Sequence, residues 1–282
     1  MVPKTVQRLL VLALTLVSLS ALACSSIGGG GSSSGGGSHA PVLDGIVERG
    51  TLRVGMSGDQ PPFNVVNKRG ELIGLEVDLA RALANSIGVE LELVQRPFGT
   101  LLGALDAGEV DMVMSGLTMT PERNMKVGFV GPYFVSGKAI LTKNETLASS
   151  DEAGDINKGT VRLAALAGST SERFVQEVTP EAQLTSVQSY DEAVQAVIDG
   201  NVDALVADFP ICVISVFRNP DAGLISLSSP FNFEPIGIAL PASDPLFTNL
   251  VQNYVNLLEG TGLLEELRAR WFVDAAWLDE LP

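Results

Sequence analysis

An internal repeat constrains this chain more than any other feature. "ALDAGEVDMVMSG" (104–116) and "AVIDGNVDALVAD" (196–208) align without gaps at an offset of 92 residues. They share Ala, Gly, Val and Asp at positions 104, 108, 110 and 111 against 196, 200, 202 and 203. Each copy predicts a helix ending at a glycine, which can adopt the left-handed conformation of a C-cap. A Val-Asp pair then enters a buried parallel strand. Two similar α/β lobes are the simplest architecture that contains both copies.

The rest of the chain keeps the same rhythm. From Pro41 onward, strand-length and helix-length apolar segments alternate, the signature of an α/β fold. "TLRVGM" (51–56), "VELELV" (89–94), "DMVMSG" (111–116), "VRLAAL" (161–166) and "DALVAD" (203–208) read as strands. "GLEVDLARALANSIG" (74–88) carries Leu75, Leu79 and Leu83 at helical spacing before a glycine stop, and "FGTLLGALDAG" (98–108), "TSERFVQEV" (170–178) and "SYDEAVQAVIDG" (189–200) also read as helices.

Before this body stands a different kind of segment. Lys4 and Arg8, an uncharged apolar run from Leu9 to Ala23, and then Cys24 have the layout of a secretory signal peptide over 1–23. The run is shorter than a membrane span requires. Ala21-Leu22-Ala23-Cys24 resembles a bacterial lipobox, which predicts lipidation of Cys24, with alanine three before the cysteine as a departure. Residues 24–40 include "GGGGSSSGGGS", which has no apolar area to bury and predicts a flexible tether with a reach of about 5–6 Å × √n.

Several function classes drop out on composition. Loss of Lys4 and Arg8 with the leader leaves 16 basic against 33 acidic residues, a formal charge of −17 that disfavours a nucleic-acid partner. Beyond Cys24 the only cysteine is Cys212, so the exported body can form no internal disulfide, and its apolar setting reads as core. The only histidine, His39, lies at the end of the tether. That placement excludes a Ser-His-Asp triad, a Cys-His pair and a His-ligated zinc in the folded part. No metal or cofactor is expected.

Ligands of open α/β sheets gather beyond the carboxyl ends of the strands. The repeat strands end at Ser115-Gly116 in one lobe and at Asp208 in the other, with Arg123 close behind the first. Arginine presents a planar, permanently charged fork to a carboxylate, and aspartate accepts from an ammonium. A cleft with one on each wall selects an α-amino-acid zwitterion. Neutral donors lie nearby: Thr118, Ser169, Thr170 and the backbone of Gly116. Ser169-Thr170 precedes a helix, whose first-turn amides favour an anion.

The motifs "GTLRVGMSGDQPPF" (50–63), "GLEVDLARALA" (74–84), "FGTLLGALDAGEVDMVMSGLTMTPER" (98–123), "VGFVGPYF" (127–134), "LAGSTSERF" (166–174) and "GNVDALVAD" (200–208) resemble the extracellular solute-binding proteins, family 3, of polar amino-acid ABC transporters. "LLEELRARWF" (263–272) is similar to that family's closing helix. The resemblance spans about 45–273 and implies a two-lobed periplasmic-binding-protein type II fold, with two crossing strands as hinge. It divides the body into lobe 1, 41–135 plus 232–282, and lobe 2, 136–231.

By position, the resemblance assigns Arg123 to the ligand α-carboxylate, helped by the Gly116 and Thr170 amides and the Thr118 hydroxyl. Asp208 receives the α-ammonium, and Phe98 forms an aromatic wall. Where the family often has an acidic residue and an aromatic, this chain has Ser57 and Gln60. The exchange favours a neutral polar or acidic ligand over a cationic one, although Asp59 opposes the acidic option if it points inward. The implied protein is a monomer outside the cytoplasm. It is tethered to the membrane only by lipid and hands an amino acid to an ABC permease. A cyclohexadienyl-dehydratase-like enzyme, with Asp59 or Glu234 as acid, and a ligand-sensing module are the alternatives on the same fold.

Overall fold

The structure is a computed structural model that describes residues 40–274 and 276–282. The segments expected to be a signal peptide and a tether, with Cys24 and His39, lie outside the described residues.

Two five-stranded sheets share one plan. The first runs in the order Glu90–Gln95, Thr51–Met56, Met112–Val113, Glu234–Pro241, Val127–Ser136. The second runs Gln183–Val187, Arg162–Leu166, Ala204–Asp208, Lys138–Thr142, Ile225–Ser226. In each, three parallel strands are followed by two that join antiparallel. The chain passes from the first sheet to the second at Gly137 and returns between Ser226 and Glu234. A small antiparallel sheet of Asp59–Gln60, Asn64–Val66 and Leu72–Ile73 sits on the first lobe and carries the loop after Met56.

Local chemistry explains the elements. The helix Leu75–Ile87 buries Leu75, Leu79 and Leu83 completely or nearly so, each contributing about 1.5–3 kcal/mol of apolar burial. It stops at Gly88, whose φ of 74° is left-handed. The helix Thr170–Val178 begins where the Ser169 hydroxyl accepts from the Ser171 and Glu172 amides. Trp271 and Trp277 are buried, and their ring centroids lie 5.4 Å apart. Cys212 is fully buried, and burial pushes its thiol pKa up.

The two copies of the repeat are pinned alike. Gly108 and Gly200 are both left-handed, with φ of 68° and 73°. Asp111 accepts the Arg53 amide at 2.8 Å and pairs with the Arg53 guanidinium at 2.8 Å. Asp203 accepts the Arg162 amide at 2.8 Å and pairs with that guanidinium at 2.6 Å. Each aspartate thus fastens the start of its strand to the neighbouring parallel strand. In the first copy the strand is shorter than the 111–116 expected, spanning only Met112–Val113. The chain leaves the sheet because the Ser115 side chain takes the Ser57 amide and Gly116 turns left-handed at φ 55°.

Candidate functional site

On the first lobe, Ser57 and Ser115 stand where adjacent strands end. Ser57 donates its amide to Ser115 Oγ at 3.0 Å, and Gln60 Nε2 lies 3.0 Å from Ser57 Oγ and 3.3 Å from Ser115 Oγ. Gln60 is buried, and these polar atoms largely satisfy one another. Gly116 suits its position because its φ is left-handed, and a Cβ there, 2.2 Å from Gln60 Oε1, would also make the Gln60 carboxamide shift.

The Gly116 amide, expected to face a ligand carboxylate, instead donates to Glu76 Oε1 at 2.7 Å. Glu76 is fully buried, and the Tyr133 hydroxyl and Asn64 Nδ2 also donate to it. Burial raises its pKa to about 7, against the pull of those three donors. Sequence reasoning missed this anchor because Glu76 lies inside a helix pattern that needed no carboxylate.

Arg123 follows a helix start capped by Thr120, whose Oγ1 accepts the Arg123 amide at 3.3 Å. Its Nη1 donates to the Thr118 carbonyl at 2.9 Å, and its Nη2 reaches the Gly168 carbonyl of the opposite lobe at 3.4 Å. The guanidinium lies 5.8 Å from the centroid of the buried Phe98 ring. Burial lowers its pKa to about 10, while the fields of Glu234 and Asp208 act the other way. Among the described residues no carboxylate forms an ion pair with it.

On the second lobe Asp208 is only 3% exposed, and Oδ1 lies 2.7 Å from Nζ of Lys138, itself 1% exposed. The two are directly opposed in the antiparallel pair of Ala204–Asp208 with Lys138–Thr142, so strand register puts them together. Lys138 also lies 3.0 Å from Glu234 Oε2. The same oxygen accepts from Thr118 Oγ1 at 2.7 Å and Thr170 Oγ1 at 2.9 Å, and the two hydroxyl oxygens are 3.1 Å apart. Burial raises the Asp208 carboxyl, with Lys138 opposing. Burial also works to raise Glu234, but Lys138 and the two threonines outweigh it and hold the carboxyl below its ordinary range.

Asp208, expected to receive a ligand ammonium, also has a protein counter-ion in Lys138. Lys138 was missed because nothing in its sequence neighbourhood distinguishes it, and only pairing across 70 residues brings it to Asp208. Ser169 is engaged as a helix cap, accepting from two amides. Asp59 turns toward the opposite lobe, where Oδ2 accepts the Tyr190 amide at 3.1 Å, while its buried Oδ1 has no hydrogen-bond partner. Glu122 and Arg173 form a further bridge between the lobes at 2.8 Å.

The site therefore places one guanidinium, without a carboxylate partner among the described residues, opposite a group of one lysine and two carboxylates. An anion suits the first and a cation the second.

Known proteins match this chain at both levels. The profile described as Bacterial extracellular solute-binding proteins, family 3, matches residues 52–274. A glutamine-binding protein of Geobacillus stearothermophilus is 33% identical over 200 residues, 70% of this chain and 74% of the relative. A cyclohexadienyl dehydratase of Pseudomonas aeruginosa is 28% identical over 229 residues, 81% of this chain and 85% of the relative. A solved structure of an ABC-transporter binding component from Wolinella succinogenes, complexed with lysine, is 34% identical with a TM-score of 0.78, covering 82% of this chain and 99% of the other. With a two-lobed fold and a profile match across most of its length, the chain belongs to the bacterial extracellular solute-binding proteins, family 3.

Proposed function

We propose that the chain is the substrate-binding component of an ABC importer, which captures a small amino acid or related carboxylate between its lobes and delivers it to a membrane permease. The observation that carries this reading is Arg123, which reaches carbonyls of both lobes and has no carboxylate partner among the described residues. A ligand carboxylate completes that guanidinium, and Asp208, beside Lys138, receives the ligand ammonium. Thr118, Gly116, Ser169, Thr170, Phe98, Gln60 and Ser57 shape the same cleft.

In this reading the bodies that move are 41–135 with 232–282 and 136–231, and ligand shifts the population toward closure because it touches both only when shut. The protein acts as a monomer held to the membrane by a lipid on Cys24. Relatives that bind glutamine or lysine support the transport role.

Thermal unfolding against the twenty amino acids tests the clamp. At ligand about 100 times its Kd the native state gains ~2.7 kcal/mol, and Arg123→Ala and Asp208→Ala should each abolish the shift. No shift with any amino acid would sink the amino-acid reading.

The dehydratase relative favours a second reading, elimination from a carboxylated ring. A general acid must hold its proton. Lys138 keeps Glu234 ionised, and Asp59, whose carboxyl is raised by burial, is tied to the Tyr190 amide. The first fact argues against Glu234 as the acid, whereas the raised Asp59 carboxyl leaves Asp59 as the acid this reading would use. Incubation with prephenate or arogenate decides, since any turnover would refute a purely binding role.

A further inference from the structure

The cleft holds a carboxylate of its own. Thr118 belongs to the loop leaving the first sheet and Thr170 to a helix start on the second lobe, yet both hydroxyls point to Glu234 Oε2, at 2.7 and 2.9 Å. A hydroxyl has one proton to donate. With both protons given to Glu234, neither remains for the carboxylate of a ligand on Arg123. Lys138, 3.0 Å away and buried, holds the Glu234 oxygen in place, and Asn232 Nδ2 donates to its other oxygen at 3.2 Å. Glu234 begins the strand by which the chain re-enters the first lobe, and Lys138 begins the strand by which it enters the second. One oxygen therefore joins both lobes and both hinge crossings.

We propose that Glu234 is a built-in competitor for the ligand carboxylate: it takes the hydroxyl protons of Thr118 and Thr170 and ties the lobes together before ligand arrives. A ligand gains those donors only by displacing Glu234, so Glu234 sets affinity and acts as a specificity-determining residue. The proposal rests on the cleft being the amino-acid site, but its first test does not.

Small-angle X-ray scattering of the purified protein with no ligand added compares wild type with Glu234→Ala. Truncation leaves Lys138 paired with Asp208, so the charge balance of the buried group improves. The radius of gyration should increase in the variant, and an unchanged radius overturns the tie.

Isothermal calorimetry then uses the amino acid giving the largest thermal shift. Glu234→Ala should bind it about tenfold more tightly, the scale of one charge-assisted hydrogen bond released to the ligand. Glu234→Gln, which keeps an acceptor and loses the charge, should fall between, and provides the measurement if the alanine variant does not fold. Thr170→Val should change affinity little in wild type and weaken it about tenfold in the Glu234→Ala background. Affinity that stays or falls on removing Glu234 overturns the competition. If wild type binds no amino acid, the amino-acid reading fails, and the scattering comparison still decides whether Glu234 ties the lobes.

Discussion

The two repeat strands end in buried carboxylate sites that are solved in opposite ways. Near Gly116 the carboxylate is Glu76, held by neutral donors: an amide, a phenol and a carboxamide. At Asp208 the neighbour is a lysine, shared with a second carboxylate. Neutral donors satisfy lone pairs without supplying charge, so the cost of burial appears as a raised pKa at Glu76. A buried lysine supplies charge and keeps Glu234 ionised despite burial. The site near Gly116 stores an acid poised near neutrality, whereas the site at Asp208 sets a lysine between two carboxylates.

The comparison is broken most severely by removing the cation. Lys138→Met should cost about 3–5 kcal/mol, because it leaves two carboxylates buried without a counter-ion. Denaturant titration measures it, and a loss under about 1 kcal/mol would mean the carboxylates find other compensation.

A pH titration of stability sharpens the contrast. Glu76 is raised from 4.5 to about 7 on folding, so between those values the native state binds more protons than the unfolded chain. Its contribution is fully present below about pH 4.5 and is lost as pH rises through about 7, a decline of roughly 3 kcal/mol. Glu76→Gln should remove that decline. A decline that survives the substitution would place the titrating group elsewhere.

The smallest effect concerns the pins of the repeat. Asp111 is 4% exposed and binds Arg49 and Arg53, whereas Asp203 is 29% exposed and binds Arg162 alone among the described residues. Asp111→Asn should cost about 2 kcal/mol and Asp203→Asn about 1 kcal/mol, since exposed pairs are screened. Equal costs would show that burial does not separate the two copies.

Much of the architecture was legible in the chain because its signals are local. Leu75, Leu79 and Leu83 mark one helix face, Ser169 marks a helix start, and Gly108 and Gly200 mark two stops that adopt the left-handed conformation expected. The repeat pointed to two equivalent strand ends, with Arg123 close behind the first. The Asp111–Arg53 and Asp203–Arg162 pins escaped, because each joins parallel strands 58 and 41 residues apart.

The sequence by itself determined the alternation of elements, the duplicated strand ends and a cationic arginine beside one of them, because propensity, capping and periodicity act over a few residues. Only the tertiary structure decided what those strand ends touch. Gly116 reaches Glu76 across 40 residues, Asp208 reaches Lys138 across 70 and Thr118 reaches Glu234 across 116. Such pairs are set by strand register and by the approach of two lobes. No local pattern encodes which buried charge will be answered by a lysine and which by a phenol.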